Sequence, residues 1–125
     1  MKLRMQSNSI RLRLKQREVE QLARTGRVEE KVSFGEEDDL FHYVLETSHS
    51  ASTIQATLKG HGILVQVPAK DAAQWASSDE VGIEAIQAGT SGKLQILIEK
   101  DFACLNGTEE QNADTFPHPL AGTKC

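Results

Sequence analysis

The chain reads as a single α+β domain, with a mainly antiparallel β-sheet of seven or eight strands and two short helices. Three observations predict this. Apolar residues recur with period two along most of the chain, the mark of strands with one covered face. The alternation gives way to helical spacing in only two short places. Short polar or glycine-bearing turns separate the strand-like runs in pairs, which favours hairpins over parallel strands linked by long crossovers.

The elements follow in order. In "KLRMQ", Leu3 and Met5 face one way and Lys2, Arg4 and Gln6 the other. "SIRLRL" sets Ile10, Leu12 and Leu14 against Ser9, Arg11 and Arg13. Ser7-Asn8 between these runs suits a tight turn, because Asn tolerates positive φ. "KQREVEQLARTG" changes period: Val19, Leu22 and Ala23 make one helical stripe, and Gly26 supplies a left-handed stop. Lys15 stands where Ser, Thr, Asp or Asn would cap the helix, so the start of this helix lacks a local cap. "RVEEKVSF" places Val28, Val32 and Phe34 on one side, and "DLFHYVLET" does the same with Phe41, Tyr43 and Leu45. Gly35 and the acidic run Glu36 to Asp39 form the loop between them.

"STIQATLK" and "GILVQVP" make a further hairpin around Gly60-His61-Gly62. Pro68 ends it and opens a helix over roughly residues 70–76, with Ala72, Ala73 and Trp75 as packing residues. "VGIEAIQ", the turn Gly89 to Gly92 and "KLQILIE" complete the strands. No internal repeat or low-complexity segment is visible in the sequence.

At 125 residues the chain is long enough for one core without metal or disulfide staples. Residues 1–119 are expected to form the domain and residues 120–125 a disordered tail. The net charge of -4 argues against bulk binding to nucleic acid or an anionic membrane. Cations nevertheless concentrate early: Lys2, Arg4, Arg11, Arg13, Lys15, Arg17, Arg24, Arg27 and Lys31 all precede residue 32. Two cysteines, Cys104 and Cys125, make no disulfide framework, and no run resembles a secretion signal or a membrane span. The expected location is therefore cytoplasmic.

Candidate chemistry is sparse. On alternating strands Arg11, Arg13, Glu29 and Lys31 project from a polar sheet face, which can hold a phosphoanion if the face is concave. Triphosphate-tunnel hydrolases use such a face with an E-x-E-x-K strand; here Arg27 stands in place of the first glutamate, which removes the metal-binding half of that motif. A solvated sheet face explains the same residues. His61, between two glycines, is expected to be the histidine most open to solvent and ligand. No nucleophile elbow and no phosphate loop is present.

"DFACLNGTEEQNADTFPHP" brings Cys104, His118 and several carboxylates together, but without the paired spacing of a zinc site. Its simpler reading is a strap, with Phe116 as a single aromatic plug and the flanking prolines holding the chain extended.

Several stretches carry a family resemblance. "NSIRLRLKQREVEQLARTGRVEEKVSFG", "QWASSDEVGIE", and "LQILIEKDFACL" followed by "EEQNADTFPHP" resemble, in that order, a family of small uncharacterised bacterial proteins, a domain of unknown function. The resemblance spans Met1 to about Pro119. It implies a bacterial cytoplasmic protein of one domain, and it implies no activity, cofactor or catalytic residue.

The leading expectation is a non-enzymatic binding or protein-interaction module with no cofactor. Its partner would be a protein, a second copy of the chain included, and neither nucleic acid nor membrane. The competing expectation is a small phosphoanion-binding protein or hydrolase in which Arg11, Arg13, Glu29 and Lys31 converge in one pocket. A third is a metal site in the closing segment.

Overall fold

A computed structural model describes residues 1–102 and 113–117. The alternating runs form strands β1 (Lys2–Gln6), β2 (Ser9–Leu14), β3 (Arg27–Ser33), β4 (Leu40–Ser48), β5 (Gln55–Lys59), β6 (Gly62–Pro68), β7 (Gly82–Gly89) and β8 (Gly92–Lys100). The helices are α1 (Gln16–Thr25), between β2 and β3, and α2 (Ala69–Ser77), between β6 and β7.

The strands do not join one antiparallel sheet. They form two mixed four-stranded sheets, ordered β1-β2-β8-β7 and β3-β4-β6-β5. Each sheet is a pair of antiparallel hairpins laid side by side, and the strands meeting at its centre run parallel, β2 with β8 and β4 with β6. Period-two alternation fixes which face is buried, but it does not fix which strands are neighbours. The β4–β6 pair needs no helical crossover, because β5 itself carries the chain back.

Both sheets turn their apolar faces to one core. Ile10, Leu12 and Leu14 of β2 meet Ile96 and Ile98 of β8, Leu45 of β4, and Ile63, Val65 and Val67 of β6. The helices complete it with Val19 and Leu22 from α1 and Ala72 and Trp75 from α2. Ala23 and Ala73, expected on the packing stripes, are exposed, because each lies one position past the buried face. Trp75 is fully buried, and its indole N–H donates to the Val81 carbonyl at 3.2 Å. This pairing satisfies the one polar atom that its burial would otherwise leave stranded.

Helix α1 starts without Ser, Thr, Asp or Asn at Lys15, and a local carboxylate and the distant strap take that role. The Glu18 carboxylate reaches back to the Lys15 N–H at 2.9 Å. The strap supplies the rest: the Asp114 carbonyl accepts the Gln16 N–H at 3.0 Å, and its carboxylate accepts the Arg17 N–H at 3.3 Å. The helix ends as expected at Gly26, whose φ of 78° lets its N–H return to the Leu22 carbonyl at 2.8 Å. Phe116 binds alongside Asp101 through its backbone N–H at 2.8 Å, and its ring lies 6.0 Å from that of Phe102.

The topology also holds a repeat that the sequence hides. Strand-strand-helix-strand-strand occurs twice, and exchanging the two copies turns the strand order of one sheet into that of the other. Ile10 falls on Ile63, Leu12 on Val65, Leu14 on Val67 and Leu22 on Trp75, all buried. The turns match: Ser7 has φ 52° and its counterpart Gly60 has φ 56°. So do the contacts. Gln95 N–H donates to the Asn8 carbonyl at 3.1 Å, and His42 N–H to the His61 carbonyl at 3.0 Å. Glu99 accepts from Arg13 at 2.5 Å, while its counterpart Glu46 accepts from Gln66, the counterpart of Arg13, at 3.0 Å. The copies share a pattern of burial more than residue identity, so reading along the sequence does not reveal them.

Candidate functional site

Strands β2 and β6 both run from a hairpin turn to a helix, which gives the molecule a helix end and a hairpin end. At the hairpin end of the second sheet, Phe34 follows β3 and donates its backbone N–H to the Asp39 carbonyl at 2.9 Å, closing the β3–β4 loop. Phe34 is 71 % exposed, and Leu58 near the tip of β5 is 80 % exposed. A pocket of about 420 Å³ lies between them, lined also by Asp39, Phe41 and the Gly60-His61-Gly62 turn. Phe41 sits half-buried with its ring 6.2 Å from that of Tyr43, so the floor of the pocket continues into the core.

The acidic run occupies the same loop. Glu36, Glu37, Asp38 and Asp39 are all exposed. None of them takes part in an ion pair among the described residues. The alternation of β3 predicts Phe34 on the covered side of the strand with Val28. Only Val28 is buried there, because β3 is an edge strand and its last residues run beyond the core. The signal that pointed elsewhere was the block of carboxylates next to an aromatic residue.

The sheet-face residues divide. Arg11 and Arg13 lie on the outer face of the first sheet, where both guanidinium groups meet Glu99, at 3.5 and 2.5 Å. Glu29 and Lys31 lie on the outer face of the second sheet. There Glu29 is 3.4 Å from Arg27 and 3.7 Å from Nδ1 of His42. Since the sheets enclose one core, their outer faces point away from each other, and the four residues are not gathered in one pocket. His61 is exposed as expected, and His49 is exposed as well.

The two seams between the sheets are closed differently. On one side the Gln87 side chain of β7 pairs with the backbone of Ala56 in β5, accepting its N–H at 2.7 Å and donating to its carbonyl at 2.9 Å. An edge strand is thereby satisfied by a side chain that imitates a strand. On the other side the Tyr43 hydroxyl donates to the Met1 carbonyl at 2.8 Å, and the Met1 amine is held by Glu18 and Glu30. Burial pushes the Tyr43 pKa above its ordinary value, and the nearby Glu30 and Glu18 carboxylates push it in the same direction.

Among the described residues no cluster of His, Cys, Asp or Glu is placed to hold a metal ion. Cys104, His118, Cys125 and the tail 120–125 lie outside the described residues. No helix among the described residues is long and apolar enough to cross a membrane. The chain belongs to the Family of unknown function (DUF7009), which matches residues 1–120. No curated protein and no solved structure matches the chain.

Proposed function

We propose that this protein is a binding module that docks a cationic, apolar segment of another protein at the hairpin end of its second sheet. The observation that carries this reading is the pairing of Phe34 and Leu58 across a pocket of about 420 Å³, beside four carboxylates with no ion pair among the described residues. Each large apolar side chain left in water forgoes about 1.5–3 kcal/mol of burial free energy. A partner that covers both recovers part of that.

The charge of the rim selects the partner. A second copy docked symmetrically on the same patch would bring the two Glu36–Asp39 loops close together, and like charges in contact oppose association. A segment bearing lysine or arginine beside its apolar anchors meets the opposite field.

The test uses a synthetic peptide of alternating leucine and lysine, and its leucine-glutamate counterpart, followed by fluorescence anisotropy. The lysine peptide is expected to bind, with Phe34→Ser or Leu58→Ser weakening it about 30-fold, as loss of a hot-spot anchor does. Equal binding of both peptides, or binding indifferent to Phe34 and Leu58, would overturn the reading.

A further inference from the structure

We infer that the outer face of the second sheet carries a second site, adjoining the docking surface at the His61-Gly62 turn that lines both, for a small organic carboxylate with an apolar body. Strand register places Lys31, His42, Gly62 and Lys59 in one row across β3, β4, β6 and β5. The glycine leaves no side chain between His42 and Lys59. A side chain there is not tolerated, since a Cβ on Gly62 would stand 2.4 Å from the His42 carbonyl oxygen.

The gap opens into a trough of about 390 Å³ whose floor is Val44 and Leu64, with Lys59 and His61 at one end and Arg27 at the other. An apolar floor on the outward face of a sheet is unusual, because that face ordinarily alternates to polar residues. The two cationic ends are not equivalent. Arg27 is already paired with Glu46 at 3.1 Å and Glu29 at 3.4 Å. Lys59 has no ion pair among the described residues.

A free ammonium at one end of an apolar trough suits a ligand with one anionic head and an apolar body. Inorganic phosphate would satisfy Lys59 but leave Val44 and Leu64 wet, whereas a neutral alcohol would cover them and leave Lys59 without a counter-ion. The corresponding place on the first sheet is lined by Arg4, Gln6, Ser9 and Arg11 and holds only about 130 Å³, with no apolar floor.

The probe is hexanoate, added to the full chain at constant pH while the histidine ring resonances are followed by NMR. Saturable shifts of His42 and His61 are expected, with His49 unmoved because it lies in the loop after β4 on the helix side. Lys59→Gln, an exposed position that folding does not depend on, is expected to weaken the binding about tenfold, the loss of one charge-assisted contact. Hexanol and phosphate at the same concentrations are expected to leave both rings unshifted. Non-saturable shifts, equal shifts at His49, equal shifts with phosphate, or unchanged affinity in Lys59→Gln would each overturn the site.

Discussion

The β3–β4 and β7–β8 hairpins occupy equivalent places in the two repeats, yet they end differently. The β7–β8 hairpin closes in a tight turn with Gly89 paired to Gly92. The β3–β4 hairpin closes in a longer loop that presents Phe34 and the four carboxylates Glu36 to Asp39. Beneath the tips the halves agree, with Leu12 and Val65, Leu14 and Val67, and Leu22 and Trp75 buried alike. The comparison teaches that this scaffold keeps its two copies alike where packing is dense and lets them differ where side chains meet solvent. Core positions are constrained by volume, whereas loop tips are not.

The largest effects should fall on the shared core. Leu22→Ala is expected to cost about 2–5 kcal/mol and Trp75→Ala about 3–5 kcal/mol, measured by urea denaturation. If one of the two were nearly neutral, the helices would not be equivalent partners of a common core.

Gln87→Ala sharpens the contrast between the seams. It removes two hydrogen bonds to Ala56, and a loss of about 1–2 kcal/mol is expected. Faster amide exchange should be confined to β5 and β7; exchange that spread to β1 would show that the seams open together.

Asp114→Ala tests the other asymmetry, since α1 leans on the strap for its cap while α2 begins at Pro68. A loss of about 1 kcal/mol is expected, as for removal of an N-cap. Unchanged stability would mean that Glu18 and the Asp114 carbonyl suffice without the Asp114 carboxylate.

The smallest effect is a pH dependence at the Tyr43 seam. An acid whose pKa is raised by folding holds its proton more tightly in the native state than in the unfolded one. The stability it contributes is present below the ordinary tyrosine value of about 10 and is lost as pH rises through the folded value. Tyr43 is the sole tyrosine, so tyrosinate absorbance reports it directly. Titration in the folded protein at or below the ordinary value would contradict the burial.

Much of this architecture is legible in the sequence. The alternation of Ile10, Leu12 and Leu14, the change of period at Val19 and Leu22, and the stops at Gly26 and Pro68 each correspond to an element in place. The parallel pairings are not legible, because β2 and β8 meet from opposite ends of the domain and no local signal encodes such a partner. The repeat is hidden because its copies conserve burial while exchanging Leu22 for Trp75 and Val19 for Ala72. The exposed hairpin end of the second sheet is legible only in part. The acidic run Glu36 to Asp39 reads from sequence only as the loop between two strands, and the exposure of Phe34 and Leu58 depends on how far each edge strand reaches beyond the core.

The most direct test of the docking reading is a ¹H–¹⁵N NMR titration of the full chain with the leucine-lysine peptide. The account predicts shifts confined to Phe34–Phe41 and Leu58–Gly62, with the Gly89–Gly92 turn of the other repeat unmoved. Equal shifts at both hairpin tips, or shifts centred on the helix end, would contradict it.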